Sequence, residues 1–220
     1  MSGPGTAGGG RIVPVGDDGR GGPSEAALAR AIEVLAQGRP IGLPTDTVYG
    51  LAADPFVLGA TDRIFAMKVR PRDVCLPVLV ASLDQALDLA TAVPDTAAAL
   101  MARFWPGPLT VVLPARPGLT ADLGDDEATI GVRCPDHPVP LALCAAVGPL
   151  ATTSANRHGE PTLTTAAEVA DAFGESLALV LDGGTCTGSP STVVDCTGVE
   201  PKLLREGRLP WSVLVGALAG

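Results

Sequence analysis

Aromatic side chains, histidine and positive charge are all scarce in this chain of 220 residues. Aromatic residues make up 3% of it, there are 2 histidines, and 15 basic residues against 24 acidic ones give a net charge of −9. Such an acidic protein is not expected to bind nucleic acid through bulk electrostatics, so any nucleotide contact must come from a local basic cluster. The sequence also lacks a run of about 18 apolar residues, which argues against a membrane span, and its Gly-rich start is unlike a secretory signal.

Several motifs of catalysis and cofactor binding are missing as well. There is no G-x-G-x-x-G, no Walker loop and no G-x-S-x-G, which argues against a dinucleotide site, a P-loop and a hydrolase elbow. The five cysteines form no C-x-x-C and no pair with histidine at zinc spacing, so a zinc site is not expected, and their scatter fits reduced thiols in the cytoplasm. His137 and His158 stand in turn contexts and are interpreted as solvated turn residues rather than catalytic bases.

Strand and helix patterns alternate along the rest of the chain. Strands are predicted over 11–15, 41–43, 76–80, 109–113, 129–133, 150–152, 177–181 and 192–195, with Pro77 placing its strand at an edge or making its start irregular. Helices are predicted after Ser24 and over 60–67, 95–105, 139–147 and 213–218, and capping boxes at 82–85 and 165–168 open two more. The alternation predicts an α/β fold with a mixed sheet. Because no linker interrupts the chain after residue 25, we expect one domain over 23–220 behind a flexible Gly-rich tail, 1–22.

A cluster of basic residues stands out against the acidic background. Arg63, Lys68, Arg70 and Arg72 fall within ten positions. Cations favour helix C-termini, which explains one or two of them. Lys68 and Arg70, however, straddle the point where Pro71 should end the helix. Two cations there can converge on one polyanion, with arginine as a bidentate fork and lysine as a mobile point charge.

Short polar loops follow or precede three predicted strands, at 44–50, 152–156 and 189–193. Ligands of open α/β sheets bind beyond the strand ends, although each loop taken alone is also explained as an ordinary turn. Arg133 and Arg205 close two short apolar segments. Each is either a surface ion pair or a clamp for a carboxylate or phosphate.

Seven motifs, in order, resemble those of a known family. They are Pro-Thr-Asp-Thr-Val-Tyr-Gly-Leu (44–51), Lys-x-Arg-Pro (68–71), Phe-Trp-Pro-Gly-Pro-Leu-Thr (104–110), Val-Arg-x-Pro (132–135), Ser-Ala-Asn (154–156), Ser-Thr-Val-Val-Asp (191–195) and Leu-Arg-x-Gly (204–207). Together they are similar to the YrdC-like L-threonylcarbamoyladenylate synthases in their short, single-domain form, over roughly residues 25 to 210. The resemblance implies a twisted α/β sheet with flanking helices around a deep, positively lined cavity.

The resemblance also implies an activity. Members are nucleotidyltransferases that make threonylcarbamoyl-AMP from L-threonine, bicarbonate or CO2, and ATP, releasing pyrophosphate. Partner proteins then transfer the threonylcarbamoyl group to the adenosine beside the anticodon of tRNA, and a weak tRNA contact by this chain is compatible with that role. ATP is then a substrate, Mg2+ is expected through its phosphates, no organic cofactor or zinc is expected, and the reaction is expected in the cytoplasm.

Roles for individual residues follow from the resemblance, motif by motif. Those implied for threonine are Thr45, Arg133, Thr152 and Ser191, with Arg133 clamping the carboxylate. Those implied for ATP are Lys68, Arg70, Thr129, Ser154, Asn156, Thr162 and Arg205, of which Lys68 and Arg70 are the catalytic pair that neutralises the departing pyrophosphate. Both are expected to tolerate alanine with little loss of stability. The segment 72–79 departs from the commoner pattern, since Val74 and Leu79 stand where several members have polar residues.

Two other classes of function remain open. One is an RNA-binding or ribosome-maturation module on the same fold, against which the net charge of −9 argues. The other is a carbamoyltransferase-like domain of a larger assembly, which predicts companion zinc-finger or kinase-like domains that this sequence does not contain. Pyrophosphate release from ATP, with and without threonine and bicarbonate, distinguishes them.

Overall fold

A mixed sheet runs through the computed structural model, which describes residues 12–16, 22–157 and 159–218. Its ten described strands are β1 (Ile12–Pro14), β2 (Ile41–Leu43), β3 (Gly50–Ala53), β4 (Val78–Leu79), β5 (Leu109–Pro114), β6 (Thr129–Arg133), β7 (Leu150–Ser154), β8 (Leu179–Asp182), β9 (Thr192–Asp195) and β10 (Lys202–Arg205). They lie in the order β1-β8-β2-β3-β7-β4-β6-β5-β9-β10. Strand β8 is parallel to β1 and β2, whereas β3 is antiparallel to β2 and β7, so the predicted mixed sheet is confirmed.

Helices pack on both faces of this sheet. In the described part of the chain they are α1 (Glu25–Ala36), α2 (Ala60–Lys68), α3 (Leu83–Leu89), α4 (Asp95–Phe104), α5 (Pro138–Val147), α6 (Ala166–Phe173) and α7 (Trp211–Leu218). The core consists of two buried clusters, and α1 and α5 belong to one while α2, α4 and α6 belong to the other. The two clusters lie on opposite faces of the sheet, as strand β3 illustrates. Leu51 and Ala53 belong to one cluster and Ala52 to the other, because successive strand residues point to opposite faces. The predicted α/β architecture with flanking helices is confirmed.

The predicted helix starts carry the expected caps, with one difference. Ser24 Oγ accepts a hydrogen bond from the Ala27 N–H (3.3 Å), and Thr165 and Glu168 form a complete capping box. At α3, Ser82 caps the Gln85 N–H, but the Gln85 side chain accepts from the Ala81 N–H instead and donates to the Cys144 carbonyl. The second half of that box is therefore replaced by a contact that joins α3 to α5.

Three strands near the site differ from the sequence prediction. Strand β3 begins at Gly50, inside what was predicted as a loop, and β7 continues two residues beyond Thr152 because it pairs with β3. Strand β4 is only two residues long, since Pro77 lies outside the ladder. It nevertheless occupies the centre of the sheet, between β7 and β6, so Pro77 marks an irregular start rather than an edge.

The predictions that concern the N-terminal tail and His158 lie outside the described residues. Residues 1–11 and 17–21 hold most of that tail, including Arg11 of the first predicted strand. The remainder of that strand is confirmed, because Ile12–Pro14 pairs with β8.

Candidate active site

A cavity of about 140 Å³ lies where several strand ends and loops meet. We call it the arginine cavity, because Arg70, Arg133 and Arg205 line it and none of its described lining residues is acidic. Its other polar side chains are all hydroxyls: Thr45, Thr47, Thr110, Thr152, Thr153, Ser154 and Ser191. A concave site with several cations and many hydroxyls suits a small anionic or polar ligand.

Arg133 enters this cavity from the end of β6. Its Nε donates to the Gly107 carbonyl (3.0 Å), its Nη1 to Thr47 Oγ1 (3.0 Å) and its Nη2 to Asp46 Oδ1 (2.5 Å). The Arg133 and Asp46 side chains are only 8% and 10% exposed. Burial lowers the pKa of the Arg133 guanidinium, and the Asp46 carboxylate opposes that shift. The Arg133 guanidinium remains a cation, and its three hydrogen bonds fix its orientation.

The turn after β2 supplies two hydroxyls. Thr45 Oγ1 donates to the Val48 carbonyl (2.7 Å) and accepts from the N–H groups of Thr47 (3.1 Å) and Val48 (3.2 Å). This side-chain turn lets the chain leave β2 and return as β3. It also places Thr45 Oγ1 2.9 Å from Thr47 Oγ1, at the wall of the cavity.

Ser191 also lines the cavity and is held by two neighbours. Its Oγ lies 2.9 Å from Thr110 Oγ1, and Arg205 donates through Nε (3.2 Å) and Nη2 (3.0 Å) to its carbonyl. Gly207 explains how Arg205 comes so close. A β-carbon at Gly207 would lie 2.3 Å from the Pro190 carbonyl oxygen, so only glycine allows this approach of the two backbones.

Lys68 does not line the arginine cavity. Its side chain is 4% exposed, and Nζ donates to the carbonyls of Ser154 (2.6 Å) and Asn156 (2.5 Å) and to Asn156 Oδ1 (3.3 Å). Burial, together with the charge of Arg70, lowers the pKa of Lys68 from 10.5 to about 8. All three ammonium protons are thus directed at the loop that follows β7, and Lys68 fixes that loop while Ser154 faces the cavity.

Arg70 points the other way, into the cavity. Val69, between the two cations, has a φ of 50° and therefore turns the chain through the left-handed region at the end of α2. Arg70 Nε then donates to the Val74 carbonyl (2.7 Å) and Nη2 to the Cys75 carbonyl (2.9 Å). The guanidinium is held along one edge by its own loop.

A second, larger space adjoins the arginine cavity. This adjoining groove has a volume of about 400 Å³ and shares Arg70, Arg205, Pro77 and Thr110 with the cavity. Its lining also includes Val74, Leu204 and Thr129. The two spaces are therefore adjacent, and Arg70 and Arg205 stand at the junction between them.

The predicted site residues divide into three groups. Thr45, Arg70, Arg133, Thr152, Ser154, Ser191 and Arg205 surround the cavity together, and Thr129 lies on the adjoining groove. Lys68 and Asn156 lie just behind the cavity wall and bind each other. Thr162 lines neither space and donates to the Gly188 carbonyl (3.2 Å).

Sequence reasoning missed several residues of the site. Thr47, Thr110 and Thr153 line the cavity, and Asp46 binds Arg133 from outside it. All four stand inside motifs or loops that the sequence had singled out, Thr110 as the last residue of the motif 104–110. A search for every polar side chain in those segments would have found them.

His137 is not a plain turn residue. It is half-buried and caps α5, with Nδ1 accepting from the Val139 N–H (3.2 Å), and burial lowers its pKa.

All five cysteines are free thiols. Within the described ranges no group of three or more His, Cys, Asp or Glu side chains is placed to hold a metal ion, and no described helix is long and apolar enough to cross a membrane.

Comparisons with known proteins agree with this geometry. The family model for Sua5, YciO and YrdC, described as "Telomere recombination", matches residues 33–207. Threonylcarbamoyl-AMP synthase of Bacillus subtilis is 40% identical over 84% of this chain and 54% of its own length, and that of Klebsiella pneumoniae is 37% identical over 84% and 97%. The structure of P. abyssi Sua5 complexed with L-threonine superposes with a TM-score of 0.85 at 36% identity, covering 94% of this chain and 61% of the other.

The fold and the site define an α/β protein with a cavity lined by arginines and hydroxyls. The chain belongs to the Sua5/YciO/YrdC family. It spans about half the length of the B. subtilis relative and about three fifths of the P. abyssi structure, and nearly all of the K. pneumoniae relative.

Proposed function

We propose that the protein is an L-threonylcarbamoyladenylate synthase that serves the modification of tRNA beside the anticodon. It joins L-threonine, bicarbonate or CO2, and ATP into threonylcarbamoyl-AMP and releases pyrophosphate. The observation that carries the proposal is the pair of adjacent spaces with Arg70 and Arg205 lining both. The curated relatives of that name support it.

Threonine occupies the arginine cavity in this proposal. At about 140 Å³ the cavity is below the roughly 300–1,000 Å³ of sites for drug-sized ligands, so it suits an amino acid and not a nucleotide. Arg133 binds the carboxylate, and the hydroxyls of Thr45, Thr152 and Ser191 contact the rest of the molecule. The threonine complex of P. abyssi Sua5 supports this substrate.

ATP occupies the adjoining groove. Val74 and Leu204 offer apolar surface to the base, and Thr129 offers a hydroxyl. The phosphates then extend toward the junction, where Arg70 and Arg205 carry positive charge and Ser154 reaches from the cavity wall. Lys68 and Asn156 act on the same phosphates indirectly, because they hold the loop that carries Ser154. Thr162 contacts ATP from outside the two spaces in this proposal.

The reaction needs no covalent enzyme intermediate. The threonine amine bonds to the carbon of CO2 and loses a proton, which gives a carbamate. A carbamate oxygen bonds to the α-phosphorus as the bond from that phosphorus to the β-phosphate bridging oxygen breaks, and pyrophosphate leaves. Preorganised cations at the junction stabilise the charge that develops on the phosphates. The described lining of the groove has two carboxylates, Asp73 and Asp126, and no described group of three or more His, Cys, Asp or Glu side chains is placed to hold a metal ion, so we expect the phosphates to carry Mg2+.

The cellular setting is part of the proposal. We propose that residues 23–220 form the catalytic domain, that the reaction takes place in the cytoplasm, where five free thiols stay reduced, and that transferase proteins receive the product before it reaches tRNA. Any direct contact of this chain with tRNA is weak.

Pyrophosphate release from ATP tests the activity. We expect release that requires both threonine and bicarbonate, with valine a poor substitute, because a site that hydrogen-bonds the substrate hydroxyl leaves polar groups unpaired when that hydroxyl is absent. ATP hydrolysis that ignores threonine would refute the synthase proposal. Equal turnover of valine and threonine would show that the hydroxyl is not recognised.

A further inference from the structure

Arg133 is bound from behind by a carboxylate that does not itself line the cavity. Asp46 Oδ1 accepts the 2.5 Å bond from Arg133 Nη2, and Asp46 is absent from the described lining. Within the described part of the chain, Asp46 Oδ2 has no hydrogen-bond partner. The guanidinium therefore meets Asp46 on one side and borders the cavity on another.

The remaining bonds of Arg133 define its plane. Gly107 and Thr47 accept from Nε and Nη1, each at 3.0 Å, so all three guanidinium nitrogens are bound. A guanidinium has five N–H groups and no acceptor. The three bonds to protein leave two N–H groups for a ligand, enough for one carboxylate.

Asp46 stands on a fixed turn. Its backbone carbonyl accepts from Arg208 Nη1 (2.7 Å) and Thr187 Oγ1 (3.3 Å). The next residue, Thr47, is tied to Thr45 through its N–H. The backbone that carries the Asp46 carboxylate is therefore held in place independently of Arg133.

We propose that Asp46 is a positioning residue that sets the plane and depth of the Arg133 guanidinium, so that its two free N–H groups meet the carboxylate of the amino-acid substrate. The identity of that substrate rests on the proposed synthase function. Asp46 does not touch the substrate. The competing role is charge compensation alone, in which Asp46 only offsets the cost of burying a cation.

Two substitutions separate position from charge. Asp46→Asn keeps an oxygen at the Oδ1 position without the charge, whereas Asp46→Glu keeps the charge and moves the oxygens by about one C–C bond, roughly 1.5 Å. We expect Asp46→Glu to raise the KM for threonine about 10- to 100-fold, because a displacement of this size costs up to about 100-fold. Asp46→Asn should stay within about 3-fold, and neither should change the KM for ATP by more than about 3-fold. A near-normal KM for Asp46→Glu together with a raised KM for Asp46→Asn would overturn the positioning role.

A second comparison applies even if Asp46→Glu folds poorly. If Asp46 acts only through Arg133, adding Asp46→Ala to Arg133→Ala should not raise the threonine KM further. A loss in the double variant equal to the product of the two single losses would refute the proposal. Asp122→Glu is the matched control, because Asp122 accepts from Arg72 Nη2 at the same 2.5 Å but lines neither the cavity nor the groove.

A binding measurement keeps this proposal distinct from the proposed function. Threonine alone should raise the Tm of the wild-type protein, since a ligand that binds only the folded state stabilises it. Asp46→Glu should need about 10- to 100-fold more threonine for the same rise. If wild type releases no threonine-dependent pyrophosphate, the synthase function fails; if wild type is active and Asp46→Glu binds threonine normally, only the role of Asp46 fails.

Discussion

At the scale of single residues, Lys68 and Arg70 show how two neighbouring cations come to differ. The sequence predicts that both hold phosphates and tolerate alanine with little loss of stability. Lys68 is almost fully buried and directs its ammonium at the Ser154–Asn156 loop, whereas Arg70 borders the cavity. We therefore expect Lys68→Ala, unlike Arg70→Ala, to lower the stability of the fold.

We expect Arg70→Ala to lower the synthase rate about 10²–10³-fold with an almost unchanged Tm, because it removes a preorganised charge at the junction. Lys68→Ala should lower the rate as well and also cost about 1–3 kcal/mol of unfolding free energy, since it leaves buried carbonyls without a donor. Steady-state rates and urea denaturation of the two variants test this.

Arg70→Lys should recover activity only in part, because an ammonium lacks the guanidinium fork. Wild-type turnover by both alanine variants would refute the site assignment.

The lowered pKa of Lys68 predicts a pH dependence of stability. In the folded protein the pKa is about 8, below the ordinary value of 10.5. Between these values the unfolded chain binds one more proton, so unfolding becomes harder as the pH rises, by about 1.4 kcal/mol per pH unit at most. Below pH 8 Lys68 is charged in both the folded and the unfolded protein, so the full free-energy cost of burying its charge opposes folding there.

Comparison with Lys68→Met isolates this group. From pH 7 to pH 10, wild type should gain about 2–3 kcal/mol in unfolding free energy relative to Lys68→Met, measured by urea denaturation at each pH. A constant difference between the two proteins would show that the ammonium has its ordinary pKa.

At the scale of secondary-structure elements, the end of α2 contains an unfavourable residue. Val69 is 81% exposed and β-branched, yet it adopts a positive φ of 50°. For an L-residue the left-handed conformation costs roughly 1–2 kcal/mol, and glycine avoids the steric part of that cost. The sequence Lys68-Val-Arg70 is therefore less stable than the same turn with glycine at its centre.

We expect Val69→Gly to raise the unfolding free energy by about 0.5–1 kcal/mol, because the exposed side chain makes few contacts that the change would remove. Val215→Gly in α7 is a matched control, since Val215 is 44% exposed in a helix with ordinary geometry. There the substitution should lower stability by about 0.3–0.5 kcal/mol, the difference between the helix propensities of valine and glycine. Chemical denaturation of both variants provides the test, and a loss of stability in both would mean that the turn is not strained.

The elements that the sequence predicted well are those with a periodic or capping signal. The helices that begin at Ser24 and Thr165 were recognised from their caps, and the strand 129–133 has the predicted bounds. Strand β3 was missed because it is buried on both faces and shows no alternation of polar and apolar residues, and β10 because its only two apolar residues stand side by side between two cations. Such strands are identified by their partners, which sequence order does not reveal.

At the scale of the whole molecule, the site is assembled from segments that are distant in sequence. Thr45 follows β2 and Arg205 ends β10, strands that lie seven places apart in the sheet order, and both residues line the cavity. The motifs predicted which segments matter. Long-range strand pairing determines that Lys68 lies behind the wall and that Asp46 binds Arg133, and local patterns carry no information about either contact.

The overall charge bears on the alternative of an RNA-binding module. With a net charge of −9, the protein should bind bulk tRNA no more tightly than the roughly 10⁻⁴–10⁻⁶ M of non-specific complexes, and salt should abolish even that. Filter binding between about 50 and 200 mM salt measures this, with pyrophosphate release by the same sample as the check on folding. Nanomolar binding that persists at the higher salt would favour the RNA-binding function.

The loop that supports Arg133 contains an intrinsic fluorophore. Trp105 Nε1 donates to the Leu109 carbonyl (2.8 Å), and between them Gly107 accepts from Arg133 Nε (3.0 Å). The chain has 2 tryptophans, and the other, Trp211, lies in α7. With Trp211→Phe, all indole emission comes from this loop, so a threonine titration should change the emission of Trp105 with its midpoint at the Kd obtained from the rise of Tm with threonine concentration. Occupancy of the amino-acid site can then be followed optically and in real time, without ATP or turnover.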